Sequence, residues 1–122
     1  MNITVTQAQG NVPVTVIKPE GRVNLGNTDE LLQQAKDSYE QGTRDMVIDL
    51  SAVESMSSAG LRTLLSIAKM LNSNATGSTE NAKTSHFKIA GPQPELKNVL
   101  DIAGFFELVE IYDNLNDAIA SF

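Results

Sequence analysis

The reading of this 122-residue chain turns on Met46-Val47-Ile48-Asp49-Leu50-Ser51-Ala52-Val53-Glu54-Ser55-Met56-Ser57-Ser58-Ala59-Gly60-Leu61. Met46 to Ile48 is short and wholly apolar, the pattern of a strand covered on both faces. Asp49 ends it. A polar connector, Leu50 to Ser58, then leads into a run where Leu61, Leu64, Leu65, Ala68 and Leu71 recur at i, i+3, i+4 spacing. That spacing predicts an amphipathic helix with one face on a core. A buried strand feeding such a helix is the unit from which parallel sheets with covering helices are built.

Working outward, the same alternation continues in both directions. Ile3 and Val5 alternate with Thr4 and Thr6, and Val12 to Ile17 is a second run rich in branched residues. Gly10-Asn11 between them is a turn signal, which predicts an antiparallel hairpin. Pro19-Glu20-Gly21 interrupts the second run as a bulge. Asn27 predicts a helix start, with Glu30 as the reciprocal half of a capping box. Leu31, Leu32, Ala35 and Tyr39 follow at helical spacing, and Gly42 closes that helix in the left-handed conformation.

Beyond the central stretch, Asn72 to Ser85 is polar and without periodicity, an exposed mobile loop inside one domain rather than a boundary. His86 to Ala90 predicts a strand. Pro94 suits the first turn of a helix with Leu96, Val99, Leu100 and Ala103 inward, closed by Gly104. Leu108, Val109 and Ile111 mark a last strand, and Asn114 to Phe122 a last short helix. The fold class is α/β (α+β), a single domain over residues 1–122. A mixed sheet of four to five strands carries about four helices packed mainly on one face. No internal repeat is visible.

Composition narrows the function. Nine basic against fifteen acidic residues give a net charge of −6, and the basic residues form no stripe or arm, which argues against nucleic acid. The acids Asp101, Glu107, Glu110, Asp113 and Asp117 follow the last lysine, Lys97, and make a negative C-terminal end. There is no cysteine, hence no disulfide, thiolate metal site or thiol nucleophile. A single histidine, His86, makes a His-rich metal site or a His-dependent hydrolase implausible. No apolar run is long enough for a membrane span, and Met1 to Gly10 lacks the features of a secretory signal.

The candidate site is Met56-Ser57-Ser58-Ala59-Gly60-Leu61. A helix begins with unpaired N–H groups and a partial positive charge, which Ser57 or Ser58 can cap. Ala59 and Gly60 leave this end without a large side chain. Glycine costs a helix about 1 kcal/mol relative to alanine, so Gly60 calls for a close approach by a neighbouring strand, a partner protein or an anion. A serine cap over a glycine packed under the sheet needs no function. The functional alternative is an anion or phosphorylation site, since a phosphate on Ser58 adds about −1.5 to −2 charge where the helix end tolerates it.

Ser58 as a catalytic nucleophile lacks a base, and no Gly-x-Ser-x-Gly elbow is present, so no catalytic residue is assigned. No metal or cofactor site is expected: the glycines Gly21, Gly26 and Gly42 mark turns rather than a phosphate-cradling loop. Asp45 and Asp49 bracket one strand, as solvated strand ends. Met46, Met56 and Met70 are expected core filler.

At this segment the chain resembles the STAS family, which includes the anti-sigma-factor antagonists and a domain of sulphate transporters. Asp49-Leu50-Ser51 followed by Met56 to Leu61 is similar to the family's hallmark, an Asp-Leu-Ser element and then Asp-Ser-Ser/Thr/Ala-Gly-Leu. Glu20-Gly21-Arg22-Val23-Asn24 resembles the turn before the first helix. Leu100-Asp101-Ile102-Ala103-Gly104-Phe105 resembles the late helix with its Gly-Phe/Leu step, and Asn116-Asp117-Ala118 the final helix.

The resemblance implies a cytoplasmic bacterial protein that binds an anti-sigma factor and frees a sigma factor. It implies that this anti-sigma factor is a serine kinase, and that a PP2C-type phosphatase reverses its action. The phosphoacceptor falls on Ser58, with Ser57 as the alternative; Asn24, Ser57, Ser58, Ala59, Gly60 and Arg62 form the partner-binding surface. Ser57 and Asn24 stand where the family pattern has aspartates, so kinase recognition can differ. Two other readings stand beside this one. The chain can be a STAS module serving as accessory or scaffold subunit of a lipid transporter or stress-signalling assembly, without phosphorylation. It can also be a small nucleotide-binding sensor. Oligomeric state is not legible in the sequence.

Overall fold

The computed structural model describes residues 2–72 and 86–122. The stretch read as a loop therefore lies outside the described residues, except for Asn72, which ends a helix. Strands β1 (Asn2–Gln9) and β2 (Pro13–Val23) form the expected antiparallel hairpin. β2 runs on through Pro19-Glu20-Gly21 and changes neighbours there. Thr15 to Ile17 pair with β3 (Met46–Asp49), and Gly21 to Val23 with β4 (Val53–Met56), with a register shift between Gly21 and Arg22. Proline has no N–H to give a ladder, and Pro19 falls between the two paired stretches. Gly21 takes φ +91°, a conformation that a side chain would strain.

Helix α1 (Thr28–Glu40) buries Leu31 and Ala35 and closes as expected, with Gly42 at φ +113° donating to the Tyr39 carbonyl. Its start differs from expectation. The Asn27 side chain turns back, accepting from the Asn24 N–H at 2.9 Å and donating to the Arg22 carbonyl at 2.7 Å. It therefore makes no cap bond, and the box with Glu30 does not form. Asn readily bonds nearby backbone in this way instead of capping. The Asn24 carbonyl takes the Thr28 N–H at 3.1 Å in its place.

After β3 and β4 come α2 (Ser58–Asn72), β5 (Phe87–Ala90), α3 (Pro94–Ile102), the single turn α4 (Phe105–Leu108), β6 (Glu110–Tyr112) and α5 (Leu115–Ala120). The sheet order is β1-β2-β3-β5-β6, with β4 beside the end of β2; only β1 and β2 are antiparallel. Among the described residues this makes six strands and five helices. The additions to the expected count are β4 and α4. α3 is thinner than predicted: Leu96 and Leu100 are buried, whereas Val99 and Ala103 are exposed.

The main core lies on the face covered by α1 to α4 and joins Ile17, Ile48, Leu50, Leu64, Ile67, Phe87, Leu100 and Phe105. Each such side chain contributes about 1.5–3 kcal/mol by leaving water. α5 covers the other face, where Val14, Val16, Val47 and Ala90 pack on Ala118. Lys88, only 3% exposed, anchors that layer. Its ammonium lies 2.9 Å from Glu110, donates to the Ser121 hydroxyl and carbonyl at 2.8 and 3.1 Å, and sits over the Phe122 ring.

Asp45, just ahead of β3, and Asp49, its last residue, are not solvated strand ends. Asp49 is buried, and its Oδ1 accepts the Ser51 N–H at 3.0 Å. Asp45 lies 2.9 Å from His86 Nδ1, just ahead of β5. Met46 is fully buried; Met56 and Met70 pack against the core from its margin.

Candidate functional site

β2, β4 and α2 meet at one point. The Ser57 N–H donates to the Val23 carbonyl at 2.9 Å, which ties the head of α2 to the end of β2. The Ser57 hydroxyl accepts from the Gly60 N–H at 3.4 Å, a long cap bond, and its carbonyl takes the Leu61 N–H at 3.1 Å. Of the two serines that sequence left open as caps, Ser57 is the cap. Ser58, the first residue of the helix, is exposed, and its hydroxyl has no hydrogen-bond partner among the described residues.

Gly60 is buried and faces the sheet. A Cβ built there would stand 2.5 Å from Met56 Cγ and 3.0 Å from Val23 Cγ1. Of the three close approaches that can explain this glycine, the neighbouring strands are the one observed. Gly60 is thus part of the packing under the helix, and the outward surface at this end consists of Ser58, Ala59 and Arg62 without it. Arg62 is exposed, one turn along from Ser58 and on the same helix face. α2 carries no acidic residue in its first turn, so the partial positive charge of its N-terminus is not offset there.

Asn24 adjoins this end through Val23. Its Oδ1 accepts the Gly26 N–H at 2.9 Å, and its carbonyl takes the Asn27 and Thr28 N–H groups. These bonds fix a turn that leaves Leu25 78% exposed. Sequence reasoning missed Leu25. An apolar residue between Asn24 and Gly26, inside a turn and outside every periodic run, was the available signal. Asp49-Leu50-Ser51 has a structural explanation: Leu50 is fully buried while the Asp49 carboxylate closes the turn onto Ser51.

The STAS domain profile matches residues 3–118. The chain belongs to the STAS domain family. Among relatives, this STAS domain is 27% identical over 103 residues to BtrV of Bordetella bronchiseptica, provisionally named an anti-sigma factor antagonist; the match covers 84% of this chain and 81% of that protein. A Thermotoga maritima structure, provisionally described as an anti-sigma factor antagonist, superposes with a TM-score of 0.78 at 22% identity, over 95% of this chain and 90% of the other. SpoIIAA, an anti-sigma factor antagonist, superposes in its unphosphorylated form with a TM-score of 0.67 at 13% identity, over 95% and 92% of the two chains. Its phosphorylated form, from Bacillus, gives 0.64 at 14%, over 90% of each. These superpositions establish a shared fold. Among the described residues of the STAS domain, no helix is long and apolar enough to cross a membrane.

Proposed function

We propose that this STAS domain is an anti-sigma factor antagonist whose binding is switched at Ser58. In the unmodified state the surface formed by Asn24, Ser57, Ser58, Ala59 and Arg62 docks on an anti-sigma factor and frees a sigma factor. That anti-sigma factor is a serine kinase; it phosphorylates Ser58 and ends the contact, and a PP2C-type phosphatase restores the acceptor. The domain itself performs no catalysis in this scheme and works in the cytoplasm.

The observation that carries the reading is the exposed, unbonded Ser58 hydroxyl at the head of α2, in the place where the family hallmark has its acceptor. Ser57 is the poorer acceptor because its hydroxyl already accepts the Gly60 N–H and it is less exposed than Ser58. The existence of SpoIIAA in both phosphorylated and unphosphorylated forms lends support from a protein of the same fold. A phosphoserine brings about −1.5 to −2 charge and a tightly held hydration shell. Burying that unpaired against a partner costs several kcal/mol, and a coupling of only about 1–3 kcal/mol changes affinity about 5–150-fold.

Binding to the anti-sigma factor tests the scheme. Ser58→Ala binds like the parent and cannot be switched off, and Ser58→Asp binds weakly. Parental affinity in Ser58→Asp would contradict a charge-based switch. Ser57, where the hallmark has an aspartate, favours a second reading: an accessory or scaffold module of a lipid-transport or stress-signalling assembly, on which no kinase acts.

A further inference from the structure

The two edges of the sheet are built differently. β6, at one edge, has three residues, and its Glu110 is held by the buried Lys88. β1, at the other, has eight, paired with β2 without a register shift. Natural edge strands are guarded by lysines, prolines, bulges or shortness. β1 reads Asn2-Ile3-Thr4-Val5-Thr6-Gln7-Ala8-Gln9 and contains neither a charge nor a proline. Alternate residues of an edge strand direct N–H and C=O away from the sheet, about four residues here. No outer partner for β1 exists among the described residues.

We propose that β1 pairs with β1 of a second copy of this chain, antiparallel about a two-fold axis beside Val5, joining two sheets into one. Three features favour a second copy. A two-fold pairing sets each strand against itself, which a charged edge strand would resist, and β1 itself carries no charge. With the axis at Val5, the copies match Val5 to Val5, Thr4 to Thr6 and Ile3 to Gln7. Branched and threonine pairs of this kind are among the favourable cross-strand neighbours. Val5 is otherwise left 38% exposed, although it lies opposite the fully buried Ile17.

An open groove of about 480 Å³, lined by Asn2, Ile3, Glu30, Gln33 and Gln34, adjoins the start of β1 on the α1 side. Because the other edge is blunted, the association closes at two copies instead of growing into a filament. The proposal is independent of phosphorylation at Ser58.

Light scattering and sedimentation of the full chain across a concentration series should report a monomer–dimer equilibrium. Val5→Lys puts like charges directly opposite and should weaken it by about tenfold or more. The chain has no native cysteine, so single cysteines report the register. Directly opposed residues lie ~4.5–5.5 Å apart at Cα, within disulfide reach, whereas diagonal ones lie ~7–8 Å apart. Under mild oxidation Val5→Cys should therefore cross-link about tenfold faster than Thr4→Cys or the exposed Ser66→Cys.

A monomer at every concentration up to about 1 mM, with Val5→Cys no faster than Ser66→Cys, overturns the proposal. So does a dimer that Val5→Lys leaves intact, or an assembly that grows beyond two copies. If Val5→Lys does not fold, the cysteine pair decides.

Discussion

Gly60→Ala isolates the packing that sets the head of α2 on the sheet. The added methyl would lie 2.5 Å from Met56 Cγ and 3.0 Å from Val23 Cγ1. Val23 is 1% exposed and has nowhere to move. Met56 is partly buried, and the atom approached is mid-chain, so the whole side chain must turn. Overpacking of this kind costs about 1–3 kcal/mol, against a gain of at most about 1 kcal/mol from replacing glycine with alanine in a helix. The net expectation is a loss of about 1–2 kcal/mol, or roughly 3–8 °C in Tm for a chain of this length. Urea denaturation of Gly60→Ala, Met56→Ala and the double variant should give a coupling of about 1 kcal/mol or more, since trimming Met56 makes room for the methyl. A Gly60→Ala protein as stable as the parent, or additive behaviour in the cycle, would refute the packing account of this glycine.

Further predictions concern the serines, the second core and the turn beside the site. Ser57→Ala should lose about 0.5–1 kcal/mol of stability with its cap bond, while Ser58→Ala stays within about 0.5 kcal/mol of the parent, both read by thermal unfolding. Lys88→Met removes the bonds to Ser121 and Glu110 and should cost about 1–3 kcal/mol. Amide exchange should then rise first in α5, and uniform exchange across the sheet would count against an anchoring role. Leu25→Asp should leave unfolding unchanged because the side chain is exposed, yet weaken the anti-sigma factor complex about tenfold in calorimetry.

Strongly periodic segments were legible in the sequence for a direct physical reason. Met46 to Ile48 of β3 are apolar because the strand is covered on both faces, and the stripe of α2 repeats because one face meets the core. β4 was not legible: only Val53 of its four residues is buried, and its place is set by pairing with the distant end of β2. α4 is one turn long, too short for any period to register. Asn27 and Asp49 were misread because a polar side chain can bond several nearby backbone groups, and only the fold selects one. At the candidate site the sequence located the helix head and the exposed Ser58. It raised a Gly60 packed under the sheet as one alternative but could not decide between that and an outward approach, nor separate the capping serine from the free one, because both depend on where β2 and β4 lie.

Intact mass and peptide mapping, after incubation with ATP and an anti-sigma factor of the serine-kinase type, bear most directly on the proposed switch. The account predicts a single added phosphate, carried by Ser58 and absent from Ser58→Ala. A phosphate on Ser57, or an unchanged mass, would contradict it.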